Sequence, residues 1–305
     1  MKLSKLTLGT VALGMDYGIA NRRGKPPTEQ SVQILSAALA AGINCVDTAR
    51  DYGTAEQLIG AYREQYRPPG LEIVTKFKIQ PGHIGDRREA TAEAIGSLRQ
   101  SLGFLGLKRA RVCLFHMDRD LPIEKVLAVL FPVLEELKSR DLIGLAGISV
   151  DHPREATHFA EHPLIDALQI PVNILDQRLV QSGLIAHMGR LNKVVFARSI
   201  FLQGLFFLDP GHLKGKLRVA GPYISQLGQL AFREGLTIAQ LAFSYVRDLP
   251  GVTSMVFGAE NDQQVKSNTG LLEGAPLSEE AGAEISALAL DVPEDIITPR
   301  NWHHT

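Results

Sequence analysis

Gly42-Ile-Asn-Cys-Val-Asp-Thr-Ala-Arg-Asp-Tyr-Gly-Thr-Ala-Glu-Gln-Leu-Ile-Gly60 holds a strand, a loop and the start of a helix in one short run. Its opening alternates like a strand, which puts Ile43, Cys45 and Asp47 on one face. Gly53-Thr54 then begins a helix, with Thr54 expected at the N-cap. An acid thus closes a strand on the face that carries apolar residues, and Tyr52 follows on the loop beyond it. A carboxylate at a strand end with a phenol above it marks a candidate site.

The same strand–helix unit recurs in both directions along the chain. Strands are expected at 6–10, 43–47, 71–76, 111–116, 143–149, 167–170, 193–197 and 253–257. Helical periodicity fills the gaps, including 28–41, 86–102, 123–139 and 238–247. Eight units of roughly thirty residues each give the spacing of a (β/α)8 TIM barrel, as one domain over 1–305. Short apolar strands suit a parallel sheet covered by helices. A doubly wound open sheet is the alternative, but Gly9-Thr-Val-Ala-Leu-Gly14 after the first strand lacks the G-x-G-x-x-G turn. Two loops exceed what the fold needs, 12–27 and 198–221, and with the C-terminal tail they are expected to lie over the C-terminal mouth.

Composition narrows the function classes. Apolar residues make up 45% and charged residues 21%, and 32 Lys and Arg nearly balance 33 Asp and Glu. This argues for an ordinary globular protein and against a nucleic acid or an acidic membrane as partner. No apolar run is long enough for a membrane span or a signal peptide. Cys45 and Cys113 fall in expected buried strands without a partner at metal spacing. The expectations are free thiols, a cytoplasmic compartment and no metal. A monomer is the default.

Three neighbouring strands each end in an ionisable residue: Asp47, Lys76 and His116. In a parallel barrel those ends share the face where active sites sit. Alternation puts Val74 with Lys76, and Val112 and Leu114 with His116. The residues should therefore converge below Tyr52. An unpaired buried lysine is costly, and Asp47 supplies its counter-ion. An ammonium beside a phenol favours the phenolate and makes Tyr52 a proton donor, while His116 can fix a substrate oxygen. Such a site protonates a carbonyl oxygen but brings no electrons, so a hydride must come from elsewhere.

The run Gly42–Gly60, with Val74-Thr-Lys76, Leu114-Phe-His116, Gly147-Ile-Ser149, Gln169-Ile-Pro-Val-Asn173 and Gly258…Gln264…Asn268, resembles the aldo-keto reductase family in order along the chain. The resemblance implies a (β/α)8 barrel that moves hydride between NADP(H), with NAD(H) possible, and a small-molecule carbonyl or alcohol, without a metal. It implies Tyr52 as general acid/base, Lys76 and Asp47 as its partners, and His116 as the residue that orients the carbonyl. For the cofactor it implies Ser149 and Gln169 at the nicotinamide, Arg198, Ser199, Phe201 and Gly204 after the seventh strand, and Gly258, Ala259, Gln264 and Asn268 at the adenosine end. This chain departs from the family pattern in places. Val150 stands where an asparagine is common, and Arg198 where an aromatic stacks on the ring. Gly258, Ala259 and Gln264 replace the Lys-Ser and arginine that grip a 2′-phosphate, a loss for which Lys266 could compensate. Arg198 either stacks on the ring as a flat cation or pairs with an acid away from the cofactor.

Met15, Tyr17, Phe77, Met117, Arg119, Phe201 and Trp302 are expected around the substrate, and Arg119 with Arg22 and Arg23 would suit a carboxylate or phosphate. Besides a hydride-transfer enzyme on aldehydes, ketones or sugar-type alcohols, the residues leave two readings open. One is a barrel aldolase that forms a Schiff base through Lys76. The other is a non-catalytic protein that senses nicotinamide nucleotides.

Overall fold

The computed structural model describes residues 2–118 and 121–303. Eight parallel strands pair in chain order: β1 (Leu6–Gly9), β2 (Cys45–Asp47), β3 (Glu72–Phe77), β4 (Ala110–His116), β5 (Ile143–Ser149), β6 (Ala167–Pro171), β7 (Val194–Arg198) and β8 (Ser254–Gly258). β8 pairs back onto β1 and closes the barrel. The (β/α)8 architecture expected from the strand spacing is the architecture observed.

Alternation decides what each strand contributes. Cys45, Val74, Val112, Leu114, Ala167 and Phe196 form one buried cluster that fills the barrel interior. A separate and larger cluster lies between strands and helices. Asp47, Lys76 and His116 continue the interior series toward the C-terminal ends. Phe77 and Phe115 point the other way and pack on each other, 5.7 Å between ring centres.

The helices follow their apolar stripes. Ile123–Ser139 buries Val126, Val129, Leu130, Val133, Leu134 and Leu137, the spacing of one helical face. Arg87–Leu105 starts at Asp86, whose carboxylate accepts from the amides of Arg88 and Glu89, and stops at left-handed Gly106. It therefore outruns the expected end at 102 by one turn. Two sequence expectations need correction. Ile43 does not share the inner face of Cys45. Its amide closes the helix Thr28–Ala40 onto the Ala38 carbonyl, and its side chain joins the outer cluster. Thr54 occupies the N-cap of Ala55–Tyr66 without capping it, because its hydroxyl accepts from Lys25 Nζ at 2.6 Å instead.

A second core ties the long loop after β7 to the tail. Leu202, Leu205 and Phe206 pack with Ile296, Ile297 and Trp302 in one buried cluster. That packing sets residues 297–300 across the C-terminal mouth.

Candidate active site

β2, β3 and β4 bring Asp47, Lys76 and His116 to one level of the barrel. Lys76 Nζ donates to both Asp47 oxygens at 2.7 Å, to the Thr48 carbonyl at 3.0 Å and to the Tyr52 hydroxyl at 3.2 Å. Lys76 is fully buried. Burial alone would pull its amine down, but the Asp47 charge, the neighbouring Tyr52 and the hydrogen bonds to both outweigh it and hold Lys76 above the ordinary lysine range. The lysine is a fixed cation behind the phenol.

The register of β4, β5 and β6 continues the set, since His116 pairs with Ser149 and Ser149 with Gln169. Ser149 Oγ donates to Gln169 Oε1 at 3.1 Å, and Gln169 Nε2 donates to Asp47 Oδ1 at 2.7 Å. One hydrogen-bonded chain therefore runs from Ser149 through Gln169, Asp47 and Lys76 to Tyr52. His116 meets Tyr52 edge to face, 6.3 Å between ring centres. Burial first, then the charges of Lys76, Lys78, Arg198 and Arg300, hold its imidazole well below the ordinary histidine value. His116 is neutral at physiological pH, and its buried Nδ1 has no partner among the described residues.

Glycines position the loop that carries Tyr52. A Cβ on Gly14 would sit 1.8 Å from the Tyr52 carbonyl oxygen, and one on Gly53, at φ +55°, would sit 2.3 Å from the Gly14 carbonyl oxygen. The Thr54 amide donates to the Gly14 carbonyl at 3.2 Å. From the other side, Thr75, one residue before Lys76, donates to the buried Glu56 at 2.6 Å. The Glu56 carboxyl is raised by burial. The loop is thus clamped between β1 and β3.

A cleft of about 730 Å³ opens above this cluster. Asp47, Tyr52, His116, Ser149 and Gln169 line it over the barrel axis. Arg198, Ser199, Phe201 and Gly204 form its wall after β7, and Gly258, Ala259, Gln264 and Asn268 line it past β8. Tyr17 closes one side, with Ile297–Arg300 of the tail also in the lining. The β7 loop is backbone-strained there: Ser199, Leu202 and Gln203 all take positive φ. Gly204, also at positive φ, lets that loop approach Ala20 of the first long loop.

Over residues 5–289 the chain matches the model of the aldo/keto reductase family. It belongs to that family. A 300-residue match to an NADH-specific methylglyoxal reductase of Escherichia coli K12 is 26% identical and covers 88% of this chain and 90% of the relative. Among solved structures, an aldo-keto reductase from Bacillus halodurans in its holo form aligns with TM-score 0.74 at 21% identity, over 95% of this chain and 93% of that one. An aldo/keto reductase from Klebsiella pneumoniae, in complex with NADP and acetate, aligns with TM-score 0.68 at 22% identity, over 94% and 92%.

Several residues expected around the substrate of this aldo/keto reductase lie elsewhere. Phe77 and Met117 are buried in the outer core, because each follows an inward residue, Lys76 or His116, and alternation turns it outward. Met15 is 42% exposed and does not line the cleft. Trp302 is buried in the second core, its indole donating to the Asp295 carbonyl at 2.8 Å. It anchors the tail while Pro299 and Arg300 reach the cleft. Arg119 lies outside the described residues.

Sequence reasoning missed Asp151, Glu260 and Arg300, all in the cleft lining. Arg198 donates to the Val150 carbonyl at 2.8 Å, to Ser199 Oγ at 3.2 Å and to Asp151 Oδ1. It pairs with an acid, then, but with one in the cleft wall. Arg300 meets the other Asp151 oxygen at 2.6 Å and Asp118 at 3.6 Å. Lys78 continues the chain to Asp118 at 3.8 Å and Asp51 at 2.7 Å. Asp151 was detectable as an acid two residues beyond a strand-end serine. Arg300 had no signal, since only tertiary packing brings the tail there.

Proposed function

We propose that this aldo/keto reductase transfers hydride between a nicotinamide dinucleotide and the carbon of an aldehyde, ketone or sugar-type alcohol, with Tyr52 as general acid/base. The observation that carries the reading is the Lys76–Tyr52 hydrogen bond, made by an ammonium locked on Asp47 beneath a cleft that Tyr52 and His116 line.

The cleft fits the dinucleotide. It is large enough for an extended ligand, and it offers the Ser149 and Gln169 side chains over the axis. At the β8 end Gly258 is exposed, with no atom within 4 Å of where a Cβ would stand, which leaves its backbone approachable. Ser149 and Gln169 would hold the nicotinamide amide. Arg198, Ser199, Phe201 and Gly204 would flank the middle, and Gly258, Ala259, Gln264 and Asn268 the adenosine. When bound, the nicotinamide supplies or accepts the hydride.

The chain's own residues handle the proton. In reduction, Tyr52 gives its proton to the substrate oxygen as charge builds there, and the adjacent Lys76 cation stabilises the phenolate left behind. Asp47 keeps that cation in place, and the neutral His116 offers a hydrogen bond that orients the carbonyl. In oxidation the same groups act in reverse. Imine chemistry at Lys76 gains no support, because the amine is held charged, its protons face four oxygens and it does not line the main cleft. The substrate is a small molecule. Free, buried Cys45 and Cys113 suit a reducing compartment such as the cytoplasm.

The test is turnover of a panel of small aldehydes, ketones and sugars with NADH and NADPH, followed by cofactor absorbance. Tyr52→Phe should lower kcat by roughly 10²–10⁴-fold while leaving dinucleotide binding intact. Equal turnover in wild type and Tyr52→Phe would remove Tyr52 from the chemistry.

A further inference from the structure

We infer that Glu260 makes the outer end of the cleft a site for a ribose diol, so that this protein takes NAD(H) in preference to NADP(H). The inference rests on the dinucleotide reading above. Tyr52 and His116 stand over the barrel axis, so the reacting ring belongs there. The rest of the ligand then runs outward past β8 to the helix Asp262–Gly270, which packs outside the barrel on Thr28–Ala40.

At that end the cleft is lined by Gly258, Ala259, Glu260, Gln264, Ser267 and Asn268, with no cation among these residues. Lys266, the one lysine on the helix, is bound to Asp262 at 2.9 Å and faces solvent instead of the cleft. Glu260 is half-buried and its backbone is fixed from two sides. Its amide donates to Gln264 Oε1 at 2.7 Å, and its carbonyl accepts from Gln30 Nε2 at 2.9 Å. Its carboxylate has neither a hydrogen-bond nor an ion-pair partner among the described residues. A carboxylate with free lone pairs accepts readily from two vicinal hydroxyls. A 2′-phosphate would bring about −1.5 to −2 charges against it and leave those lone pairs unused. Of the two dinucleotides that the family resemblance allows, this end of the cleft favours NAD(H).

Calorimetric titration of the full chain with NADH and with NADPH decides the matter, on wild type, Glu260→Gln and Glu260→Arg. Wild type should bind NADH at least about tenfold more tightly, a difference of about 1.4 kcal/mol. Glu260→Gln should bring the ratio toward one, chiefly by tightening NADPH, and Glu260→Arg should invert it. Because each protein supplies both affinities, a general loss of stability cancels in the ratio. Wild type that binds NADPH as tightly as NADH overturns the inference, as does an unchanged ratio in Glu260→Gln. If neither dinucleotide binds wild type, the hydride-transfer reading falls as well, which separates the two failures.

Discussion

Lys76 Nζ stands 3.2 Å from the Tyr52 hydroxyl oxygen and donates to it, from a position fixed by both oxygens of Asp47. Removing one member of a buried ion pair is worse than removing both, because it strands the other charge. Lys76→Met should cost about 3–5 kcal/mol by leaving Asp47 uncompensated, and Asp47→Asn/Lys76→Met should recover most of that loss. Gln169 already donates to Asp47 and softens the single loss somewhat. Denaturant unfolding of wild type, both single variants and the double variant measures the coupling. A double variant no more stable than Lys76→Met would show that the pair does not set the cost. Both Lys76 variants should lose turnover, since Tyr52 keeps its phenol but loses its cation.

The neutral His116 predicts a particular acid response. Its folded pKa lies below the ordinary value of 6.5 because burial and surrounding cations disfavour the imidazolium. On acidification the unfolded chain takes up this proton first, so stability falls as pH drops below 6.5 toward the folded pKa. His116→Gln removes that contribution. The stability difference between wild type and His116→Gln should shift in favour of the variant between about pH 7 and pH 5. Thermal unfolding at stepped pH reads it, and a difference independent of pH would refute the assignment. The pH profile of kcat should show no inflection near 6.5 from this residue.

Arg300 crosses the mouth on the tail and meets Asp151, whose other oxygen holds Arg198. Its side chain is 40% exposed, so solvent screens the pair and Arg300→Ala should change stability by only about 0–1 kcal/mol. Its larger effect should be on ligand release, because residues 297–300 line the cleft. Stopped-flow displacement of bound dinucleotide should show several-fold faster release in Arg300→Ala. Unchanged release would assign the tail a packing role alone.

The strand-end residues were legible because a strand has a period of two and a barrel a fixed active face. Once Val74 is inside, Lys76 is inside, and the same rule carries His116 from Leu114. The same rule turns Phe77 and Met117, expected around the substrate, away from it, because each lies one residue past an inward position and a one-residue step flips the face. Cleft residues on β5 to β8 were legible from the motif, for each expected cofactor position lies in the lining. The tail was not. Trp302 draws it into a second core whose partners on the β7 loop are a hundred residues earlier, and no local pattern encodes that docking. The ion chain from Arg198 to Lys78 was hidden for the same reason, since its members come from separate loops and the tail.

Gly14 offers the sharpest test of how the Tyr52 loop is placed. Its missing Cβ leaves room for the Tyr52 carbonyl oxygen at 1.8 Å and the Ala55 amide at 2.7 Å, and both are backbone atoms that no rotamer change can move aside. Gly14→Ala must therefore push the loop and the phenol away from Lys76, whereas the barrel strands can stay where they are. A displacement of about 1 Å is enough to cost on the order of 10²-fold in rate. Gly82→Ala is the matched control, because a Cβ there meets nothing within 4 Å. The expected result is a large fall in kcat for Gly14→Ala with dinucleotide affinity close to wild type, and no change for Gly82→Ala. Full activity in Gly14→Ala would mean that the loop adapts around the methyl, and that Tyr52 is positioned from the Lys76 side alone.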